Sequence, residues 1–194
     1  RKYDVMVWFA WIKITNKILK RVINLNYEVK GLNNINSKKV IYACQHQSAW
    51  DTIIIPYLIG DCVIFHKRSL LFIPLFGWHL YKLGMIIITR NKGTNNLKKI
   101  INKAKKEVNK NRPILIFPHG TRTLPNSKNK IQSGIVILYK YLNINVVPIK
   151  LDSGKFWGKN KFLKYPGKIT VNFMKPIKPG LNPGNFRKKL EKIL

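Results

Sequence analysis

Short unbroken apolar runs alternate along this chain with longer stretches whose apolar positions recur at helical spacing. Residues 38–44 (KKVIYAC), 62–66, 85–89 (MIIIT), 113–117 (PILIF), 145–151 and 168–174 (KITVNFM) are rich in β-branched residues and read as strands. Residues 48–59, 70–83 with a break near Pro74, 94–110 and 133–142 read as helices, and 186–193 closes the chain as another. The clearest is 94–110, where Leu97, Ile100, Ile101, Ala104 and Val108 share one face and lysines take the other. Strands apolar at every position have both faces covered, and helices between them supply crossovers. The expectation is an α/β fold, a mostly parallel mixed β-sheet flanked by helices. The Pro/Gly-rich stretch 176–184 is a connection before the last helix, and no repeats are present.

The first segment behaves differently. The run Val5-Met6-Val7-Trp8-Phe9-Ala10-Trp11-Ile12 leads into Lys13, Lys17, Lys20 and Arg21 at helical spacing, beside Ile14, Ile18, Leu19 and Val22. The run is far shorter than the roughly 20 residues needed to span a bilayer. It reads as an apolar plug entering a basic amphipathic helix with two tryptophans at interface level, which fits a membrane surface. It also fits the tail of a longer spanning helix, or a helix packed on the protein's own core. The division expected is a membrane-associated helix over residues 1–26, with a stretch missing upstream of Arg1, and one globular domain over 27–194.

Composition narrows the partners. The 194 residues carry 37 Lys and Arg against 7 Asp and Glu, a formal net charge of +30, yet 45% are apolar. That apolar content excludes a disordered polycation. The surface seeks polyanions: nucleic acid, anionic membrane or phosphorylated substrates. Lys, Asn and Ile are enriched together, a pattern that compositional bias also produces. No nucleic-acid motif is present and the aromatics are not interleaved with the basic residues as a stacking platform requires, so nucleic acid is not expected. Cys44 and Cys62 are the only cysteines, which predicts no disulfide framework, no structural zinc and a reducing compartment.

In open α/β sheets the loops at the carboxyl ends of strands carry chemistry. The first such loop reads Gln45-His46-Gln47-Ser48-Ala49-Trp50-Asp51. On one regular helix a spacing of five sets two residues about 140° apart, so His46 and Asp51 could not meet. They meet if His46 is in the loop and Asp51 in the first helical turn. Ser48-x-x-Asp51 is a capping-box pattern that makes this turn. A carboxylate holding one imidazole nitrogen fixes the tautomer and makes the other a better general base. The plainer reading is that Asp51 only caps the helix. Cys44 reads either as a nucleophile or, better, as a buried strand cysteine. Later loops carry cations: Lys67 and Arg68, Thr89 and Arg90, and Arg122 within Pro118-His119-Gly120-Thr121-Arg122-Thr123. A glycine between such groups lets the backbone approach an oxyanion while a guanidinium grips it. Together the loops suggest chemistry on a hydroxyl of a phosphorylated substrate.

These segments resemble the glycerolipid acyltransferases, and within them the bacterial 1-acyl-glycerol-3-phosphate acyltransferase branch. His46 and Asp51 match that family's H-x4-D block. Gly84-Met85-Ile86-Ile87-Ile88-Thr89-Arg90 resembles its second block, Phe117-Pro118-His119-Gly120-Thr121-Arg122 its third, and Val146-Val147-Pro148-Ile149 its fourth. Residues 67–70, 73–78 and 151–157 also look familial, and the likeness runs in order from about residue 38 to 180.

The resemblance implies a glycerol-3-phosphate acyltransferase-like fold and a reaction. His46 would deprotonate the 2-hydroxyl of a lysophospholipid, which attacks the thioester of acyl-CoA or acyl-carrier protein. Asp51 would orient His46. Lys67, Arg90 and Arg122, with the Gly120-Thr121 backbone, would hold the substrate phosphate. It implies no metal and no cofactor beyond the acyl-thioester co-substrate. The implied partners are lysophospholipid, acyl thioester, anionic membrane and possible carrier protein, at the cytoplasmic face of a bacterial inner membrane. One position departs: the family's usual acceptor-site glutamate is His119 here. Altered acceptor preference, reduced activity and a harmless exchange all follow as readings. The one developed is that a protonated His119 donates to the phosphate and makes acceptor binding acid-dependent.

Overall fold

The computed structural model describes residues 2–35, 38–73, 76–88, 94–125, 127 and 129–194. Arg90, and with it the end of the 85–89 run, lies outside them. Helix α1 (Lys2–Ile23) leads into β1 (Leu25–Lys30), then β2 (Val40–Cys44), α2 (Ala49–Ile59) and β3 (Val63–Lys67). A short 3-10 turn (Arg68–Phe72) precedes α3 (Phe76–Lys82), followed by β4 (Ile86–Ile88), α4 (Thr94–Asn109) and β5 (Ile114–Ile116). The chain continues with α5 (Ser133–Leu142), β6 (Asn145–Leu151), β7 (Gly167–Phe173) and α6 (Pro183–Ile193). The expected 70–83 helix is thus a 3-10 turn and a separate shorter helix.

One sheet runs β1-β7-β6-β2-β5-β3-β4. Every pairing is parallel except β6 with β7. The mixed, mostly parallel sheet expected from the apolar runs is therefore present. Its two faces show why those runs are continuous. In β2, Val40, Tyr42 and Cys44 enter the apolar layer that contains Trp8, Ile12, Trp50 and Ile54 of α1 and α2. Ile41 and Ala43 enter the opposite layer, with Val108, Ile135, Leu138 and Phe186 of α4, α5 and α6. Side chains alternate across a strand, so a strand covered on both faces is apolar at every position.

The strand β1 is an addition to the elements read from the sequence. Leu25, Tyr27 and Val29 pack on the α1–α2 side, while Asn26, Glu28 and Lys30 alternate with them. This edge strand has one face in the core, so its signal is period-two alternation rather than an apolar run. It pairs with β7 from Leu25↔Gly167 to Lys30↔Asn172. The boundary drawn at residue 26 therefore falls inside a strand. Helix α1 buries Trp8, Ile12 and Leu19 in the core. Its outward side carries Tyr3, Met6, Val7, Trp11, Ile14, Ile18 and Val22, all exposed. Apolar residues occupy both sides of this helix. No helix among the described residues is long and apolar enough to cross a membrane.

Arg112 fastens the edge of the sheet remote from the carboxyl ends. Its side chain is buried and donates to Asp61 Oδ1 (3.0 and 3.1 Å), to the carbonyls of Leu83 (2.8 Å) and Cys62 (3.3 Å), and to Glu107. One guanidinium thereby joins α4, the end of α3 and the start of β3. Its planar fork supplies five donors, which lysine could not match. Arg112→Ala removes the guanidinium from Asp61, Glu107 and two carbonyls, with Lys110 left as a donor to Glu107. Breaking a buried pair of this kind costs about 3 kcal/mol, to be read as a lowered midpoint in urea unfolding. Arg112→Lys should recover only part of the loss.

Candidate active site

The β2 strand ends at Cys44, and the chain turns at Gln45-His46-Gln47 before Ser48 caps α2. Ser48 sits in extended conformation, its hydroxyl accepting from Trp50 N at 3.2 Å, and it forms the capping box with Asp51. This is the turn the Ser-x-x-Asp spacing predicts, and it brings Asp51 back under His46. Asp51 Oδ2 accepts from Gln47 N (2.7 Å), from Ser48 N (2.8 Å) and from His46 Nδ1 (3.1 Å). Its side chain is 0% exposed and that of His46 is 14% exposed. A carboxylate already accepting two amide protons is an acceptor to the imidazole, which assigns the His46 proton to Nδ1. Nε2 is then the basic nitrogen.

Two further supports of His46 carried no signal in residue spacing. The Phe117 ring stacks on it, centroids 4.2 Å apart and planes 26° apart. The His46 carbonyl accepts from Thr123 N at 2.7 Å and Thr123 Oγ1 at 3.2 Å. The loop after β5 therefore grips the His46 loop from one side. The turn after β6 grips it from the other. Ser153 Oγ donates to Asp51 Oδ1 at 2.5 Å, and Gly154 N donates to Gln47 Oε1 at 3.0 Å. A Cβ on Gly154 would meet Gln47 Cβ at 3.0 Å and Pro125 Cγ at 3.1 Å, so only glycine lets this turn approach so closely. The sequence signal was the Asp152-Ser153-Gly154 segment within the resemblance.

The remaining candidates occupy neighbouring positions of the same edge. Lys67 is exposed at the end of β3, its carbonyl within 3.0 Å of His66 Nδ1. Gly120 turns at φ +69 after β5, and Thr121 is exposed. Arg122 donates from Nη2 to Asn160 Oδ1 at 3.3 Å. His119 points elsewhere. It is buried, and it lines a recess of about 920 Å³ with Gln45, Gln47, Thr123, Lys130 and Glu191. Its Nδ1 is the buried side-chain polar atom without a partner among the described residues. The structure unites His46 with Asp51, and it ties Thr123, next to Arg122, to the His46 carbonyl, but it gives His119 no hydrogen bond to Arg122 among the described residues. Cys44 is fully buried; desolvation, reinforced by Asp51, pushes its thiol well up, so it stays protonated and is a strand cysteine. Among the described residues no cluster of His, Cys, Asp or Glu could hold a metal ion.

The sequence matches the acyltransferase family model over residues 26–152, a span that runs from β1 through β6 and contains His46, Asp51 and Arg122. The chain belongs to the acyltransferase family. It is 33% identical over 161 residues to the 1-acyl-sn-glycerol-3-phosphate acyltransferase of Pseudomonas aeruginosa, covering 83% of this chain and 63% of that one. It is 27% identical over 167 residues to the enzyme of the same name from Cocos nucifera, covering 85% and 54%. The chain thus spans less than two thirds of the length of these relatives. The crystal structure of the 1-acyl-sn-glycerophosphate (LPA) acyltransferase of Thermotoga maritima superimposes with a TM-score of 0.78, covering 100% of this chain and 78% of that one at 18% identity. That likeness establishes the shared fold.

Two measurements test the site. Ser153→Ala removes the donor to Asp51 Oδ1, and a lost bond to a charged group is worth about 1.5–3 kcal/mol. Acyltransferase turnover should fall by roughly tenfold or more, with Ser153→Thr recovering part of it; equal turnover would show that Asp51 does not need this donor. His119 gives the second. Burial depresses its pKa below the ordinary imidazole value, against the opposing pull of the Glu191 carboxylate and the Asn129 backbone. A depressed pKa means the unfolded chain binds the proton more tightly, so this contribution is intact above the unfolded value near pH 6.5 and is lost as pH falls further. The melting temperature should drop from pH 7 to pH 5 by more in wild type than in His119→Gln. His66 and His79 are shifted the same way and are common to both proteins, so the difference isolates His119.

Proposed function

We propose that this chain transfers a fatty acyl group from an acyl thioester to the 2-hydroxyl of 1-acyl-glycerol-3-phosphate, giving phosphatidic acid. The observation that carries the reading is the His46–Asp51 pair, with Nδ1 engaged by a buried carboxylate and Nε2 left as the base. Its family membership and its relatives' names support the substrate class. In this mechanism His46 Nε2 takes the proton of the acceptor hydroxyl as that oxygen attacks the thioester carbonyl. The tetrahedral intermediate collapses with cleavage of the C–S bond, and the imidazolium returns the proton to the departing thiolate. Asp51 holds the ring and stabilises its transient positive charge. No protein nucleophile is needed.

Lys67, Arg90 and Arg122, with the Gly120-Thr121 turn, hold the acceptor phosphate in this proposal, presenting the hydroxyl to Nε2. His119 is not one of the phosphate donors in this reading, because it is buried in the recess beside Glu191 and burial favours its neutral form. The donor is the thioester of coenzyme A or of an acyl-carrier protein. The setting proposed is the cytoplasmic face of a bacterial inner membrane. Support for a lipid surface comes from the exposed apolar side of α1 and the net charge of +30.

The test is thiol release from acyl-CoA and from acyl-carrier protein, with and without 1-acyl-glycerol-3-phosphate. Acceptor-dependent release is expected, reduced by about a thousandfold in His46→Ala with the melting temperature unchanged. Absence of release with both donors would overturn the reading. Asp51→Asn should also lose most activity, and Asp51→Ala should lose stability as well, because it removes the α2 cap.

A further inference from the structure

The connection between β6 and β7 exposes three large apolar side chains close together. Phe162 is 89% exposed, Leu163 63% and Tyr165 49%. A folded chain leaves single apolar residues at its surface routinely, but three within four positions are a patch. The loop that presents them is closed at its neck. Tyr165 N donates to the Phe156 carbonyl at 2.8 Å, so residues 156–165 form a compact Ω-type loop. The Phe156 ring lies where a Cβ on Gly167 would stand, 2.2 Å from Cε1, and it packs with Trp157 against the α1–α2 layer. The neck is anchored in the core while the tip projects.

The tip is also cationic. Lys159 and Lys161 are exposed beside Phe162. Lys164 places its ammonium 5.1 Å from the Trp157 ring centre and 5.0 Å from that of Phe162, and it donates to the Phe162 carbonyl at 2.6 Å. No acidic residue occurs in the sequence between Asp152 and Glu191. Lys155 and Lys168, at the two ends of the connection, are paired with Asp152 and Glu28, while these three lysines have no ion pair among the described residues. Apolar tips flanked by lysines suit the boundary between acyl chains and anionic headgroups.

Topology puts the loop at the reacting edge. Strand β6 runs parallel to β2 and antiparallel to β7, so the β6–β7 connection emerges at the edge where β2 delivers His46. Arg122 donates to Asn160 within the loop, and Gly167 N at its base donates to the Asn24 carbonyl where α1 ends. We propose that residues 156–165 are an interfacial loop that inserts Phe162 and Leu163 into an anionic lipid bilayer beside the acceptor site. The placement of a bilayer at this edge rests on the lipid-acyltransferase reading. A second copy of this chain is the poorer occupant, because it would bring like charge against the lysines of the tip.

Both native cysteines are buried, so Phe162→Cys adds a single accessible thiol for an environment-sensitive dye. The full chain is mixed with phosphatidylcholine vesicles with and without phosphatidylglycerol. The dye should report an apolar setting only with phosphatidylglycerol present. The double variant Phe162→Ser, Leu163→Ser should lower vesicle partitioning by about tenfold or more, and should lower acyl transfer to a long-chain lysolipid held in those vesicles. Transfer to a short-chain acceptor in solution should stay at the wild-type rate. Lys159→Gln with Lys161→Gln should weaken binding to the anionic vesicles alone. Wild-type partitioning of the serine variant, a dye insensitive to vesicles, or a loop whose loss changes self-association instead would overturn the inference. If soluble-acceptor transfer is absent while loop-dependent vesicle binding persists, the acyltransferase reading fails and the interfacial loop stands.

Discussion

A buried carboxylate must be surrounded by donors, and in this fold Asp51 gathers four. A charge in the interior without partners would cost more than the site could supply. The partners come from three places: the amides of Gln47 and Ser48 in the turn, the imidazole of His46, and the hydroxyl of Ser153. The turn donors are local and follow from the turn after β2 and from Ser48 capping α2. The Ser153 donor is 102 residues away in the chain, and it arrives only because β6 lies parallel to β2. Register Val40↔Asn145 to Cys44↔Ile149 brings the two strand ends level, so that the turns which follow them meet. The geometry of the His46–Asp51 pair is therefore a consequence of sheet order. It would not survive exchanging β6 for a strand that ran the other way.

The antiparallel step at β7 has an equal consequence at the outer edge. After β6 the chain does not need a crossover helix to reach its neighbour, so the connection is a loop rather than a covered element. That leaves the 156–165 segment exposed at the same edge as His46, with Asn160 touching Arg122. Strand β1 then extends the sheet beyond β7, and α1 ends beside the loop neck. The end of α1, the loop and the His46–Asp51 pair share an edge because the sheet changes direction once.

The features legible in the sequence were those set by short-range rules. Strands buried on both faces announced themselves as apolar runs, and Ser48-x-x-Asp51 announced a cap that could double as a histidine clamp. Strand β1 was missed because Asn26 and Glu28 dilute its apolar content, although the Leu25, Tyr27, Val29 alternation records its one buried face. The Ser153 contact could not be read from spacing, because it depends on which strands become neighbours. Phe117 behaves likewise: its position after β5 is visible, but its stacking on His46 needs β5 to lie beside β2. The placement of His119 turned on the direction of one side chain at a glycine turn. Local sequence leaves that direction undetermined between the recess it enters and the side of Arg122.

The charge imbalance looks different once the acids are located. Each of the seven has a structural partner. Asp51 holds His46; Asp61 and Glu107 hold Arg112; Asp152 accepts from Thr170 N and Lys155; Glu191 accepts from Ile131 N; Asp4 faces Lys82. Glu28 meets Lys168 and Lys30, whose hydrogen bonds pull its carboxyl down to about 2. Five exposed lysines, Lys30, Lys82, Lys110, Lys155 and Lys168, are paired by them, and none of these lies at the 156–165 loop tip. A general enrichment in lysine would raise the positive count, but it does not explain why the surviving carboxylates sit at caps, strand ends and the histidine. The acids are those the fold uses, which leaves the lysines of the 156–165 loop tip unneutralised. On a surface of anionic lipid such cations gain attraction that water and salt would otherwise erase beyond a Debye length. The few carboxylates and the many lysines are then two sides of one arrangement: the carboxylates are taken up by caps, strand ends and His46, and the loop-tip lysines are left to the lipid surface proposed above.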